Sequence, residues 1–364
     1  MSSPKPEYSV FKPEWKDLFD RHGLNLLGIA VPDFEKQEVL KYKQWISQGR
    51  GGEMTYLENH LDLKFSPETL LEGCKSILFT ALDYYQEISP GDLSPQNGRI
   101  ARYAWGRDYH KTLGNQLKKI TAELKLLYPQ ESFRNFTDSG PLAERWYAQN
   151  AGLGFIGRHT LLINPQKGSW FLLGEILTTL DPGIWRETSV ESPPVGSKIH
   201  GGGCPSGCKR CLNVCPTGAL ESSGLMDARK CISYLTIEHK GSIPVEIRDK
   251  MGNWIFGCDL CQEVCPFNLR AQSTGERDFL TLRAGSSRDL GELLTITDAE
   301  FMKTYAGTPL MRTGRISLVR NACVAAGNSL DPLLVPRLEI LAEGDDTLLK
   351  EHALWAMEKI RSRG

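Results

Sequence analysis

Cys204-Pro-Ser-Gly-Cys208-Lys-Arg-Cys211-Leu-Asn-Val-Cys215-Pro216 is the stretch that decides the fold of the middle of this chain. A second set follows, Cys258-Asp-Leu-Cys261-Gln-Glu-Val-Cys265-Pro266, and Cys231 lies between the two. Three cysteines a few residues apart can hold one face of an iron–sulfur cubane, and the cysteine before proline in such a run ligates the neighbouring cluster. The spacing therefore predicts a module with two 4Fe-4S clusters.

The same rule divides eight cysteines between the two clusters. The first cluster is expected to take Cys204, Cys208, Cys211 and Cys265. The second is expected to take Cys215, Cys231, Cys258 and Cys261. Cys204 and Cys208 are separated by three residues rather than the usual two, and the flexible Pro205–Gly207 segment is expected to absorb the extra one. Cys74 and Cys323 remain, and their apolar surroundings predict buried thiols.

A structural zinc site is the alternative for these cysteines. Zinc modules share the Cys-x2-Cys pairs, but they do not need a Cys-Pro ending in both sets. Two clusters in line carry electrons and have no substrate specificity of their own. Any chemistry is therefore expected in the part of the chain that precedes the module.

The composition describes an ordinary globular protein of more than one domain. The chain has 364 residues, of which 40% are hydrophobic and 24% charged, and its formal net charge is −1. No global charge draws it to a polyanion, so such a partner would need a local patch. The start of the chain has no apolar export signal, and no apolar run approaches a membrane span. We therefore expect a cytoplasmic protein with no membrane partner, whose cysteines are ligands or buried thiols.

Three regions follow from the patterning: an α/β domain over 1–185, the cluster module over 186–285 and a helical segment over 286–364. In the first, strands are predicted at Ser76–Leu82, Thr160–Asn164 and Trp170–Thr179. A helix that contains Leu113 and Leu124 is expected to end at Pro129, and another is expected to run from Pro141 to about Ala151. Pro, Gly and Ser in 182–203 indicate a linker. The tail is predicted to form helices over Leu310–Asn328, Leu333–Leu341 and Thr347–Ile360, as one or two stacked pairs or an ordinary helical cap.

Several further stretches share their pattern with one enzyme family. They are Arg102-Tyr-Ala-Trp-Gly-Arg-Asp-Tyr-His110, Asp138-Ser-Gly-Pro-Leu-Ala-Glu-Arg145, Ala151-Gly-Leu-Gly-Phe-Ile-Gly-Arg-His-Thr160, Gly168-Ser-Trp-Phe-Leu-Leu-Gly-Glu175, Cys231-Ile-Ser-Tyr-Leu-Thr-Ile-Glu238 and, in the tail, Arg312-Thr-Gly-Arg-Ile-Ser-Leu-Val-Arg-Asn321 and His352-Ala-Leu-Trp355. Together they resemble epoxyqueuosine reductase, over about residues 50–360.

The resemblance implies a fold and a reaction. A cobalamin would sit between an α/β domain and a ferredoxin-like domain with two 4Fe-4S clusters, followed by a HEAT-like helical segment. The enzyme would convert epoxyqueuosine to queuosine at the wobble position of a tRNA. Removing the epoxide oxygen takes two electrons and two protons, so the clusters would supply electrons and a carboxylic acid would protonate the leaving oxygen. A reductase, flavodoxin or ferredoxin is expected as the electron donor, and the chain is expected to be a monomer.

The same resemblance names the expected active-site residues. Asp138 matches the family's proton donor, and Asp108, Tyr109, His110 and Arg145 are expected beside it. The residues alone favour a helix N-cap at Asp138, a position that stabilises its charged form, and only the resemblance favours the proton donor. A donor there would need burial or a neighbouring negative charge.

Cobalamin and tRNA contacts are also expected. The predicted cobalamin contacts are Tyr56, Ala101, Arg102, Asp138, Thr160, Leu162, Gly168, Trp170, Leu173 and Ser233. The predicted tRNA contacts are Arg312, Arg315 and Arg320, with Lys303 nearby, because a few cations suffice for a phosphate contact. Packing into the core is the alternative for Trp170 and Leu173, and a solvated helix face is the alternative for the arginines.

Two other functions are compatible with two clusters. A reductive dehalogenase would share cobalamin and clusters, but those enzymes are usually exported with a twin-arginine signal, which the start of this sequence lacks. A protein that only relays electrons would leave about 200 residues before the module without a purpose. Cobalt binding distinguishes the relay from either enzyme.

Overall fold

The computed structural model describes residues 11–138, 140–186 and 203–363. Most of the predicted linker 182–203 lies outside them. The first region contains these helices and strands in chain order: α1 (Pro13–Arg21), β1 (Asn25–Ala30), α2 (Lys36–Ser47), α3 (Tyr56–Asn59), α4 (Leu61–Lys64), α5 (Pro67–Leu70), β2 (Ser76–Asp83), β3 (Asn97–Ile100), α6 (Tyr109–Leu127), β4 (Phe133–Phe136), α7 (Glu144–Asn150), β5 (Phe155–Ile156), β6 (Leu162–Ile163) and β7 (Phe171–Thr178).

A four-stranded sheet in the order β1-β2-β7-β4 is the centre of this region. Strands β2 and β7 pair over eight residues, from Ser76 opposite Thr178 to Asp83 opposite Phe171. Helix α6 covers one face with Leu113 and Leu124, which are fully buried, as its periodicity predicts. Every pairing in the sheet is antiparallel, so α+β describes this region better than the predicted α/β.

Local differences from the prediction have simple causes. Strand β1, for which no strand is predicted, lies between helices α1 and α2 and forms the sheet edge next to β2. The expected strand Thr160–Asn164 is reduced to β6, because Thr160 has a φ of +68° that does not fit a strand. Asn164 then bridges to Gly168, which closes the predicted turn before β7.

The second and third regions contain fewer strands. Their elements are α8 (Arg210–Val214), α9 (Ile232–Ile237), α10 (Val245–Arg248), β8 (Trp254–Phe256), α11 (Leu260–Glu263), α12 (Arg277–Leu280), β9 (Ser287–Asp289), α13 (Leu290–Thr295), α14 (Asp298–Tyr305), α15 (Arg315–Ser329), α16 (Val335–Glu343) and α17 (Thr347–Arg363). The three long tail helices are those predicted, with later starts for α15 and α16.

A small sheet joins all three regions. Strand β3 of the first region pairs with β8 of the cluster module and with β9 of the tail. Its Ile100 belongs to the same buried cluster as Phe256 of β8 and Leu290 of α13. The chain therefore crosses the predicted boundaries at 185 and 285 with shared backbone hydrogen bonds and a shared core.

Close helix packing characterises the tail. Helix α15 is buried on nearly every side, and a Cβ on its Gly327 would lie 2.7 Å from the ring of Trp355 in α17. Cys323 is fully buried in this core and Cys74 is buried in the first region, as predicted. Among the described residues, no helix has the length and apolar character needed to cross a membrane.

Candidate active site

A loop between β4 and α7 carries Asp138. The backbone at Asp138 has a φ of +53°, in the left-handed region that residues other than glycine rarely adopt. The Asp138 side chain is 46% exposed. Helix α7 begins at Glu144, six residues later. The predicted helix therefore forms but begins three residues later than Pro141, and Asp138 does not cap it. The backbone N–H groups of the first turn of α7 therefore do not donate hydrogen bonds to the Asp138 carboxylate, as they would to a capping residue.

Four side chains from two distant segments surround Asp138. The Tyr109 hydroxyl donates a hydrogen bond to Asp138 Oδ2, and His110 Nε2 lies 3.8 Å from the same oxygen. Arg312 Nη2 lies 3.2 Å from His110 Nε2. Asp108 caps α6, accepting the backbone N–H of His110 at 3.1 Å, and its Oδ1 is 2.8 Å from His110 Nδ1. The structure thus brings together four of the five predicted catalytic residues and adds Arg312.

These contacts fix the tautomer of His110. Arginine carries only donors, so His110 Nε2 accepts from Arg312 and Nδ1 donates to Asp108. Burial acts to raise the pKa of Asp108, but the hydrogen bonds from His110 outweigh it and hold that pKa below its usual value. Burial and the adjacent Asp138 raise the pKa of Tyr109 well above its usual value. Tyr109 is therefore a stable hydrogen-bond donor at neutral pH.

Arg145, the fifth predicted residue, is turned toward another loop. Its Nη1 donates to the backbone oxygen of Thr160 at 2.6 Å. This contact supports the left-handed turn at Thr160. Arg145 therefore positions a loop in this structure, and a direct catalytic role for it stays a prediction.

Two glutamates close to Asp138 were not predicted, and Glu144 among them is partly buried. Glu175 of β7 is 1% exposed and lies opposite Phe136 in β4, and its carboxyl group contacts that of Glu144. Burial and the charge of Glu144 raise the pKa of Glu175 well above its usual value. Burial and the charge of Asp138 raise the pKa of Glu144 to about 7. In the sequence Glu175 is only one polar residue in an apolar strand, so no local signal marks it.

The first set of cysteines lines one cavity. Its walls include all four predicted thiols of the first cluster, Cys204, Cys208, Cys211 and Cys265, together with Arg210 and Phe267. The described His, Cys, Asp and Glu side chains nowhere converge in threes as ligands of a single ion. The thiols ring a space instead of meeting at a point.

The second set lies beside the first and next to the Asp138 site. The four thiols of the second set are close enough to influence each other's pKa: Cys215, Cys231, Cys258 and Cys261. The thiol of Cys211, from the first set, also influences the pKa of Cys261. Burial raises the pKa of the Cys231, Cys258 and Cys261 thiols. Burial thus favours the protonated thiols, whereas ligation by iron would favour the thiolates, since coordinated thiols are deprotonated.

A packed path leads from the second set to Asp138. A Cβ on Gly257, the neighbour of Cys258, would lie 2.5 Å from the Cβ of Ala101. The next aromatic ring, Tyr103, lies 5.9 Å from the ring of Tyr109, centroid to centroid. Tyr109 in turn contacts Asp138. Packed side chains therefore connect the second cluster position to the candidate active site.

The predicted cobalamin contacts divide by exposure. Tyr56, Thr160 and Ser233 keep accessible surface. The buried ones are Ala101, Arg102, Leu162, Gly168, Trp170 and Leu173. Leu162 and Leu173 belong to the apolar core beside α7, and Gly168 packs against Asn268. The first three stay predicted contacts, and the buried ones offer little surface to a corrin.

Arg102 and Trp170 have a packing role in place of the predicted contact. Arg102 Nη1 lies 3.2 Å from Asp259 Oδ2 and 2.8 Å from Glu263 Oε1. Its guanidinium lies 4.9 Å from the centroid of the Trp170 ring. This buried group joins the first region to the cluster module. A buried arginine with two carboxylate partners is held by them and does not turn toward a corrin.

The three predicted tRNA arginines lie in three different settings. Arg312 is exposed and belongs to the Asp138 site. Arg315 Nε pairs with Asp298 Oδ1 at 2.8 Å near the surface. Arg320 is fully buried, and it donates to the backbone oxygens of Leu235, His239 and Gly241 at 2.7–2.8 Å. The prediction for Arg320 is corrected: it ties α15 to α9 and offers nothing to a phosphate.

Comparison with known proteins adds the family. Residues 64–139 match the family model described as Epoxyqueuosine reductase QueG, DUF1730, and residues 204–268 match a 4Fe-4S double cluster binding domain. The epoxyqueuosine reductase of Escherichia coli is 37% identical over 340 residues, which are 92% of this chain and 86% of that protein. The chain belongs to the epoxyqueuosine reductase family.

Solved structures of epoxyqueuosine reductases share the fold. One was solved with an epoxyqueuosine-modified tRNA-Tyr stem loop; it superposes with a TM-score of 0.85 and 28% identity, over 95% of this chain and 89% of that one. The Bacillus subtilis enzyme, solved with the loop of its catalytic aspartate swung out of the active site, gives a TM-score of 0.80 and 27% identity, over 95% of this chain and 90% of that one. The double-cluster match supports two 4Fe-4S clusters in this member of the epoxyqueuosine reductase family.

Proposed function

We propose that this chain reduces epoxyqueuosine to queuosine in tRNA. The observation that carries the proposal is the hydrogen-bonded group of Asp138, Tyr109, His110 and Arg312, packed through Tyr103 against the second set of cysteines. A proton donor and an electron supply thus meet at one place. Oxygen removal from an epoxide needs both, because two electrons and two protons convert the epoxide oxygen to water.

Cobalamin is the cofactor that the family implies, and the residues present fit it. Both ring nitrogens of His110 are engaged by Asp108 and Arg312, so this histidine is not free to ligate cobalt. Tyr56, Thr160 and Ser233 offer hydroxyl groups that could bind corrin amides. When bound, the cobalt would pass the electrons of the clusters to the epoxide carbon.

The chain's own residues handle the proton. Tyr109 holds Asp138 Oδ2 by its hydrogen bond, which leaves Oδ1 of Asp138 to face the leaving oxygen. Arg312 and Asp108 hold the His110 ring from its two sides. We propose that the loop of Asp138 moves during the reaction, because the catalytic aspartate loop of the Bacillus subtilis enzyme has been solved swung out of its active site.

The tRNA proposal extends to the surface around this site. Arg312 at its rim would meet a phosphate next to a base that is turned out of the anticodon loop. Arg315 is a second candidate at the start of α15. We propose a HEAT-like arrangement for α15, α16 and α17. A tRNA substrate places the reaction in the cytoplasm, and a monomer is the simplest form that admits an anticodon loop.

Mass analysis of the nucleoside tests the function. Anaerobically purified protein, cobalamin, a strong reductant and epoxyqueuosine-containing tRNA are incubated together, and the tRNA is then digested. We expect the modified nucleoside to lose the mass of one oxygen, and to lose none when cobalamin or reductant is omitted. Unchanged nucleoside from protein that contains both clusters and cobalamin would refute the proposal.

The alternatives predict other results. An electron relay would never bind cobalt, so cobalt content after reconstitution separates it from the proposed enzyme. A dehalogenase would release halide from organohalides, and the family match does not favour it.

A further inference from the structure

The segments that enclose the first cysteine set carry charges of only one sign. These segments are 151–174, 203–220 and 264–275, and none of them contains an aspartate or a glutamate. Their lysines and arginines are Arg158, Lys167, Lys209, Arg210 and Arg270. Lys167 is paired with Asp83 at 2.9 Å, and the other four make no ion pair within the described parts of the chain.

These cations lie close to the first cluster position. Arg210 lines the cavity of the first set, and the exposed Lys209 precedes it. The backbone N–H of Arg158 donates to Cys204 Sγ at 3.4 Å. Arg270 is exposed and follows the short 3-10 turn that begins after Cys265. We call these four residues the cationic collar.

An accessible apolar surface lies within the collar. Leu269, next to Arg270, is 72% exposed, and the loop from Gly203 to Gly207 that carries Cys204 is also largely exposed. Protein interfaces often combine a small apolar centre with a charged rim. The first cluster position thus lies beside an exposed surface on which the described charges are positive.

The second cysteine set has a different electrostatic environment. Asp259 follows Cys258 and Glu263 follows Cys261, and both acids are paired with Arg102. Arg229, close to Cys231, is paired with Asp227. Lys230, next to Cys231, is a further cation, and each of these three acids is paired with an arginine, so the charges around this set are of both signs. Its contact with the Asp138 site also leaves it as the exit of the electron path rather than its entrance.

We propose that the cationic collar is the docking surface for a small acidic one-electron carrier of the flavodoxin type, which delivers electrons to the first cluster. The need for an electron carrier rests on the proposed function, whereas the place where it docks rests on the charge distribution. Each docking event oxidises the carrier by one electron and reduces the first cluster from the 2+ to the 1+ state. Two such events supply the two electrons that, with two protons, turn the epoxide oxygen into water.

Charge reversal at the collar tests the inference. The variant Lys209→Glu/Arg270→Glu is compared with Lys118→Glu/Lys119→Glu, an exposed pair on α6 that changes the net charge equally. Reduction of the clusters by an acidic flavodoxin hydroquinone is followed by stopped-flow absorbance, without tRNA. We expect the second-order rate constant to fall about tenfold or more for the collar variant at low salt, and about twofold or less for the control.

Two further measurements isolate docking from cluster damage. Reduced methyl viologen, a small cation, should reduce the clusters of the collar variant no more slowly than those of the unmodified protein. The flavodoxin rate of the unmodified protein should itself fall with ionic strength, because salt near 1 M screens charges beyond about 3 Å. Equal slowing of both variants, or a flavodoxin rate insensitive to salt, would overturn the proposal. Oxygen removal from epoxyqueuosine driven by a chemical reductant tests the proposed function separately.

Discussion

The cysteine module and the Asp138 site are built in opposite ways. The eight predicted ligands of the module lie within residues 204–265, and seven of them belong to two short runs of sequence. The Asp138 site joins the cap of α6, a loop after β4 and the residue Arg312, which are brought together only by the fold. The first is a local structure and the second a tertiary one. A substitution that disrupts the cysteine module should therefore leave the Asp138 site folded, and a substitution at Asp138 should leave the clusters in place.

Loss of a thiol in the second set should have the largest effect. Cys261→Ala interrupts the path beside the Asp138 site, so turnover should be lost and iron should fall to about half, from about eight to about four atoms per chain. Iron and sulfide analysis with an activity assay measures both. Cys323→Ala, which removes a buried thiol that is not a predicted ligand, is the control and should keep its full iron content. Full iron in Cys261→Ala would remove Cys261 from the ligand set.

Asp138→Asn should be the complementary change. It removes the proton donor while keeping the size of the side chain, and general acid catalysis contributes about 10²- to 10⁴-fold to a rate. Single-turnover formation of queuosine should slow by that factor, with unchanged iron and visible absorbance. Asp345→Asn, at an exposed position in the tail, should react at the unmodified rate. Retained activity in Asp138→Asn would end the claim that it donates the proton.

Arg320 ties α15 of the tail to α9 of the cysteine module. Arg320→Met leaves three backbone oxygens without their donor, and we expect about 3 kcal/mol lower stability. Arg315→Met removes an arginine paired with a largely exposed Asp298 and should cost about 0–1 kcal/mol. Denaturant unfolding of the anaerobic proteins compares them. Similar losses in both variants would contradict the buried role of Arg320.

The smallest effect is expected at Glu175 and depends on pH. Its pKa is raised in the folded protein, so the folded state keeps a proton that the unfolded chain loses above about pH 4.3. Stability therefore falls as pH rises from that value, and Glu175→Gln should escape this loss. The melting temperature of Glu175→Gln minus that of the unmodified protein should therefore increase from pH 5 to pH 8. Exposed Glu358→Gln should show no such trend, and a flat difference for Glu175→Gln would rule out a buried, proton-binding carboxyl.

Elements with strong periodicity could be predicted from the sequence. Both bounds of strands β2 and β7 and the end of helix α6 lie within one or two residues of their expected positions, because long apolar patterns dominate local preferences. The three strands that join the regions, β3, β8 and β9, have three or four residues each. Such short strands carry no usable pattern, so the joining of the three regions was invisible.

The candidate site shows the same limit. Asp108, Tyr109, His110 and Asp138 were expected through family resemblance, and the structure brings them together. Arg320 was misplaced because an arginine in a helix is normally exposed, whereas α15 is buried on nearly every side. A helix with polar residues and no apolar stripe gives no sign of such burial.

The most direct test of the account follows electrons and product together. Protein with cobalamin is reduced, freed of excess reductant and mixed anaerobically with epoxyqueuosine-containing tRNA, while cluster absorbance and queuosine are measured over time. We predict that cluster reoxidation accompanies queuosine formation in the unmodified protein, and that Asp138→Asn keeps its clusters reduced and forms no queuosine in the same interval. Queuosine formed without cluster reoxidation, or formed equally by Asp138→Asn, would contradict the account.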